Sequence, residues 1–242
     1  MGALEDLRHS LTAVRALAEM EGRYNDPPEV VDRPACFGLR GACTVLTVAC
    51  FESFLRTLFE EQLDRLRHER IPLVHYGDKL RTVAIYASLD LAMKGDHRTR
   101  GSEKVDRIPD VLAAAKAIVA DSFLPRALSS TGNNPDPDCV KRMFNSVGCN
   151  DIFGRISQPF SEVWPQPVSL DYCKEKLESL VLSRHQVAHT ADAAHVLRSE
   201  LTENALFVET LAVVLSVQLE SHVDALIAVA RAAHSLEDQL HP

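Results

Sequence analysis

An all-α helical bundle is the fold class this sequence predicts, and three observations carry it. Leu and Ala dominate a chain of 242 residues that is 46% hydrophobic and 25% charged, and both are good helix formers. Aromatics make up only 6%, beside 10 Gly and 12 Pro. An all-β sandwich normally uses more of both aromatic and turn residues. Finally, apolar residues recur at three- and four-residue spacing over long stretches, the period of a helix with one buried face. The length supports a real core. No repeat or linker argues for division, so a single helical domain over 1–242 is expected, with about 71–165 as an elaborated and partly irregular middle.

The first element is an amphipathic helix from Leu4 to about Arg23, with Leu4, Leu7, Leu11, Val14 and Leu17 on its stripe and Tyr24 to Pro28 ending it. A longer helix runs from about Pro34 or Ala35 to Arg70, since Pro34 suits a helix start and Pro72 lies past the end. Its Thr44–Phe59 stretch is apolar almost all round, as in a central helix. Lys79 to Met93 reads as a third helix, and Met93 to Lys104 as a basic loop. Ile108 to Phe123 reads as a helix with Asp110 as a possible cap. Ser129 to Asn134 is a loop. Asp136-Pro137 then supplies a cap and first-turn proline for a short helix to about Val147. Gly148 to Pro167 reads as irregular. Two helices close the chain, one from a Ser169 cap to about His189, the other from about Glu200 to Ala233.

Lys and Arg number 26 against 34 Asp and Glu, a net charge of −8. Such a chain is not a generic nucleic-acid coat, and any contact with a polyanion needs a local basic patch. The Met93–Lys104 loop, with Lys94, Arg98 and Arg100, is the candidate, and Lys174, Lys176 and Arg198 could add to its field. The N-terminus has no signal-peptide core, and the most apolar stretch, Ala205 to Leu219, carries Glu209 and is shorter than a membrane span. A cytoplasmic chain with no membrane contact is therefore expected, its six cysteines present as thiols.

Two inward charges stand out. The helix Leu170–His189 has an apolar stripe of Leu170, Cys173, Leu177, Leu180, Val181, Val187 and Ala188, and Arg184 extends it. On the long second helix, Glu52 falls within the stripe Val45, Val48, Leu55 and Phe59. A buried guanidinium or carboxylate is expensive unless paired, so Glu52 and Arg184 are expected to meet. Two readings follow from the pattern: an ion pair that fixes helix register, or a site in which Glu52 orients Arg184 for a phosphate.

The run Leu180-Val181-Leu182-Ser183-Arg184-His185-Gln186-Val187-Ala188-His189-Thr190 bears on that choice. An Arg, four intervening residues and a His, at the end of a helix before the final helix, resembles the HEPN superfamily, in particular its prokaryotic RiboL-PSP and related ribonuclease-type groups. The run Leu39 to Leu55 resembles the long second helix of that family, with Glu52 matching its acidic residue. The resemblance implies an antiparallel HEPN-like bundle with a variable middle. It implies a metal-independent endoribonuclease that leaves a 2′,3′-cyclic phosphate, needs no cofactor, acts on RNA as a homodimer and belongs to a toxin-antitoxin or phage-defence setting with a possible cognate antitoxin. A non-catalytic module binding a nucleotide or a protein is the alternative.

The chemistry suits the residues. His189 is assigned as the main acid/base, because imidazole titrates near neutral pH. Arg184 is the phosphate clamp, His185 a second proton-transfer group, and Glu52 the orienting acid. Arg40 is a further substrate-binding candidate beside Lys94, Arg98 and Arg100. Arg184 and His189 are five residues apart, about 140° around an ideal helix. They converge only if the helix ends there or two chains share the cleft.

A remote alternative is a zinc-binding hydrolase. His185, His189 and His195 copy a metzincin spacing, but Gln186 replaces the general-base glutamate and Asp192 the turn glycine. Cys36, Cys43 and Cys50 recur every seven residues, about 10 Å apart on a helix and too far to share a metal. His222 reads as a satisfied core residue, and Trp164 and Tyr172 as packing residues that could also stack on a base.

Overall fold

A computed structural model describes residues 2–95, 103–132 and 134–240, with side chains as far as residue 237. The described residues form an all-α fold with no strand. The helices are α1 (Ala3–Glu21), α2 (Arg33–His68), α3 (Asp78–Lys94), α4 (Ile108–Val119), α5 (Pro125–Leu128), α6 (Pro137–Ser146), α7 (Ile152–Val163), α8 (Tyr172–Thr190) and α9 (Arg198–Leu240). Short 3-10 turns span Leu73–Tyr76 and Val105–Arg107.

The chain falls into two compact units. One comprises Met1–Leu55, Asn133–Cys139 and Phe153–Ser216, the other Arg56–Gly132, Val140–Ile152 and Val217–Pro242. In the first, α1 buries Leu7, Leu11 and Val14, α2 buries Val48, Phe51 and Leu55, and α9 buries Phe207, Leu211 and Leu215. The second has its own core, including Phe59, Leu63 and Leu66 of α2, Met143 and Phe144 of α6, and Leu73 and Tyr76 of the first 3-10 turn. The Phe59 and Phe144 rings meet edge to face at 5.1 Å, a favoured aromatic geometry.

Four local expectations change. Gly148–Pro167 is not irregular, since α7 occupies Ile152–Val163 with Pro159 inside it. An interior proline costs a helix about 3 kcal/mol, but α7 buries Ile152, Phe153, Ile156 and Phe160 along one face, and that burial outweighs the lost hydrogen bond. Asp110 is not a cap. It lies inside α4, buried, and pairs with Arg126. Ser169 does not cap α8, which starts at Tyr172 with no side-chain cap bond. The last helix is longer than expected, so Arg198–Glu237 and Arg33–His68 are both long and apolar enough to cross a membrane by length and composition. The same property is required of helices that supply a core, and both bury large residues here. The Asp136 cap does form: the Cys139 backbone N–H donates to Asp136 Oδ1 at 2.7 Å.

The first unit is organised around buried charge. Glu21, at the end of α1, is 0% exposed, and Arg40 of α2 is 4% exposed. Arg40 Nε donates to Glu21 Oε1 at 2.7 Å, Nη1 to the Val196 carbonyl at 3.1 Å and Nη2 to Asp26 Oδ1 at 2.9 Å. Arg198, at the start of α9, donates from Nε to Glu21 Oε2 at 2.6 Å and from Nη2 to the Tyr24 carbonyl at 2.9 Å. Burial alone would lower the pKa of Arg40, but hydrogen bonds to Glu21 and Asp26 and the attraction of both carboxylates push it up instead. Arg40 is thus a structural residue, held by Glu21, Asp26 and the Val196 carbonyl. The expectation that it binds substrate is corrected, because the residue is sealed inside the unit at 4% exposure.

The cysteines of the described residues are free thiols. Burial pushes Cys43 up to about 11 and Cys173 up to about 12, and also raises Cys36 and Cys50. These thiols stay protonated and unreactive at neutral pH.

Removing one partner of a buried ion pair typically costs about 3–5 kcal/mol. Glu21→Gln keeps the shape of the side chain and removes its charge. Urea denaturation should show a loss of about 3 kcal/mol or more, and a change below about 1 kcal/mol would contradict the account of the network.

Candidate functional site

The Arg-x4-His segment lies on α8, all of it in the first unit. Cys173, Leu177, Leu180, Val181 and Val187 form the buried face of this helix. Leu170 and Ala188, expected on that face, are exposed, Leu170 because it precedes the helix. Arg184 is half-buried at the border of the face. Its Nε is sealed from solvent with no hydrogen-bond partner among the described residues. His185 and His189 are exposed, one turn apart, with ring centroids 4.2 Å from each other.

Two details position the end of α8. Gly41 of α2 lies against its last turn: a Cβ built there would stand 3.0 Å from Val187 Cγ1 and 3.3 Å from Ala193 Cβ. A side chain there would press these neighbours apart by a few tenths of an ångström. The following loop is held by its own bonds. Ala191, in the left-handed region at φ 55°, ends the helix, and its N–H reaches the Val187 carbonyl. Asp192 Oδ1 accepts the Ala194 N–H at 2.8 Å. Ser183 Oγ and His195 Nε2 are 3.1 Å apart, and the Val196 carbonyl is taken by Arg40.

The expected pair between Glu52 and Arg184 does not form. Neither a hydrogen bond nor an ion pair joins them among the described residues, and the Arg184 Nε stays unbonded. Glu52 is half-buried at the edge of the α2 core face, which runs instead through Thr47, Val48, Phe51, Leu55 and Phe59, and it is engaged by other groups. The helix does not end between the motif residues either, since α8 continues to Thr190. Arg184 and His189 therefore diverge by about 140°, one turned toward the interior and the other toward solvent.

The zinc alternative also loses its geometry. His185, His189 and His195 are not among the groups of three that come within ligand reach in the described residues, and His195 instead meets Ser183. The proposed basic field is thinner than its residues suggest. Lys176 is paired with Glu203 at 2.8 Å and Arg198 with Glu21. Lys94 is exposed, paired with Asp90 and part of the second unit. Arg98 and Arg100 lie outside the described residues.

Two cavities flank the segment or lie on the same unit. One, of about 420 Å³, is lined by His185, Lys174, Glu178, Asp136, Asp138 and Asn134, among others. The other, of about 600 Å³, is lined by Trp164, Tyr172, Ser169, Thr202, Glu203 and Leu206 together with the Pro165–Val168 segment. Trp164 and Tyr172 pack with Phe160 and Phe207, as expected of packing residues. Burial and the neighbouring Glu203 push the Tyr172 hydroxyl up to about 12, so it donates rather than ionises. In the second unit, His222 is satisfied as expected, its Nε2 2.9 Å from the Val147 carbonyl.

Sequence reasoning missed Glu21. The signal was present: Glu21 follows Val14 by seven residues and continues the stripe of Leu7, Leu11 and Val14. An acid on a buried stripe implies a cation nearby, and two arginines supply it.

A family model described as RiboL-PSP-HEPN matches residues 5–221 of the chain. No curated protein and no solved structure matches it.

Because α2 touches α8 directly at Gly41, Gly41→Val must displace Val187, which sits between the two histidines in sequence. Overpacking of this kind costs about 1–3 kcal/mol. Thermal denaturation should report that loss, and an unchanged midpoint would mean that the two helices are not pressed together there.

Proposed function

The chain belongs to the RiboL-PSP-HEPN family, and on that premise we propose that it is a metal-independent endoribonuclease whose active groups are Arg184, His189 and His185. The observation that carries the reading is the Arg184 guanidinium. It is half-buried, with no ion pair or hydrogen bond among the described residues, next in sequence to a pair of exposed imidazoles in contact. A cation left without a counterion at the edge of a core is costly, and a phosphate of the substrate would supply the missing acceptors in a charge-assisted and bidentate way.

In this reading His189 takes the proton of a ribose 2′-hydroxyl. The oxygen then attacks the adjacent phosphorus, and Arg184 holds the charge that builds on the phosphoryl oxygens. His185 gives a proton to the departing 5′-oxygen. The products are a 2′,3′-cyclic phosphate and a 5′-hydroxyl end, and no metal or cofactor enters the step. Glu52 has no assigned role. Since Arg184 and His189 diverge around α8, the reading includes a homodimer in which each chain completes the cleft of the other. A single HEPN-like domain over 1–242, a cytoplasmic setting, a role as toxin or phage-defence effector and a cognate antitoxin belong to the same proposal.

A second reading, a non-catalytic nucleotide-binding module, is favoured by the cavity beside Trp164 and Tyr172, where ring faces and polar groups line one space. The two readings separate in one assay. Total RNA incubated with the protein in EDTA should be cleaved, and the fragments should carry cyclic phosphate ends. His189→Ala and Arg184→Ala, each shown to be folded by circular dichroism, should lose at least about 100-fold in rate. Cleavage by both variants at the parental rate rejects the site. Nucleotide binding without cleavage by the parent favours the module.

The shared cleft has its own expected outcome. Light scattering at assay concentration should give the mass of a dimer, and a fully active monomer would exclude it.

A further inference from the structure

A second group of chemically capable side chains lies in the other unit, where the 3-10 turn Leu73–Tyr76 and the last turns of α9 contribute to one cluster. His75, His234 and Glu237 each offer a ligand atom, and these atoms lie within 4.8 Å of one another. His75 Nε2 is 3.1 Å from Glu237 Oε2, and the two imidazole centroids are 5.0 Å apart. His234 and Glu237 are three residues apart on one helix, so they share a face.

The frame around the cluster is fixed from both sides. Leu73 and Tyr76 are buried on either side of His75, and the Tyr76 hydroxyl donates to the Leu66 carbonyl at 3.2 Å. One turn before His234, Arg231 grips Glu69 with two bonds, from Nε at 2.7 Å and Nη2 at 2.8 Å. The His75 side chain is itself only 10% exposed, which restricts its rotamers. Glu237 is exposed and can adjust.

Zinc binds imidazole nitrogen at about 2.0–2.1 Å and carboxylate oxygen at about 2.0–2.2 Å. Ligands at the corners of a tetrahedron of that size stand about 3.3 Å apart. The His75–Glu237 separation, 3.1 Å, is close to this value, and drawing in the third ligand needs a shift of at most about 1.5 Å. Two imidazoles and one carboxylate suit zinc and its neighbours rather than magnesium or calcium, which take all-oxygen shells.

We propose that His75, His234 and Glu237 form a site for a zinc-class divalent cation, with water in the fourth position, that fastens the end of α9 to the Leu73–Tyr76 turn. An ion needs neutral imidazoles and an ionised carboxylate as ligands, so its binding weakens in acid. The site involves none of the α8 residues and is a structural fastening, independent of RNA cleavage.

The test uses the full chain, stripped with chelator and then titrated with Zn²⁺ by calorimetry and thermal melting. One equivalent should bind, and the Tm should rise by about 5–10 °C at a hundredfold excess over Kd. Mg²⁺ should give no rise. His75→Gln and His234→Gln should each abolish the rise, whereas the double variant His185→Gln/His189→Gln should keep it. Should a variant fold poorly, Co²⁺ provides a second readout, since the parent should show the visible bands of a four-coordinate ion. No stoichiometric binding, a rise that survives in both His75→Gln and His234→Gln, or a rise lost with His185 and His189 would each overturn the proposal. In the first case, the cluster is an ion pair beside an imidazole and nothing more.

Discussion

The buried contact among Glu21, Arg40 and Arg198 is the constraint on which the first unit depends. A carboxylate with no solvent exposure can remain charged only if cations replace its hydration. Glu21 receives donors from two guanidinium groups, one on α2 and one at the start of α9. Arg40 also donates to Asp26 and the Val196 carbonyl. In this way a single carboxylate ties together α1, α2, the loop after α8 and α9. That loop carries the chain away from the Arg-x4-His segment, and the buried charge anchors it at Val196.

Two arginines of this chain divide between structure and chemistry. Both Arg40 and Arg184 interrupt otherwise apolar helices, and from sequence both are candidates for substrate. Arg40 has all of its acceptors within the protein, and its charge is reinforced by them. Arg184 has a sealed Nε with no acceptor. A buried cation paired with carboxylates stabilises the fold, while an unsatisfied one at the border of a core is a cost that a ligand can remove. Residue type and position alone do not distinguish these cases, because the difference lies in what the rest of the chain brings to each.

The contrast extends along the chain. The helices with continuous apolar stripes, α1, α2 and α8, were legible nearly to their ends, as was the Asp136 cap of α6. Helix α7 was not: it holds Gly154 and Pro159, both unfavourable inside a helix, and burial of its Ile and Phe residues sustains it. The motif itself was visible on α8, including the inward lean of Arg184. Its supposed partner Glu52 was misplaced, since an α2 that is apolar almost all round gives no sharp indication of which side is the centre of the core. Glu21 continues the α1 stripe, yet it stands at a helix end, where a side chain is usually solvated, so its burial depends on what packs over it.

Sequence by itself determined the helical class, the approximate extent of most helices and the family to which the chain belongs, because these follow from local periodicity and from a short run of adjacent residues. Only the tertiary structure decided which charges meet. Arg198 and Glu21 are separated by 177 positions, and His75 meets Glu237 from another distant part of the chain. The physical reason is one of range. Helix formation is governed by contacts three and four residues apart, whereas the partner of a buried charge is set by how whole helices pack, and no local pattern encodes that distance.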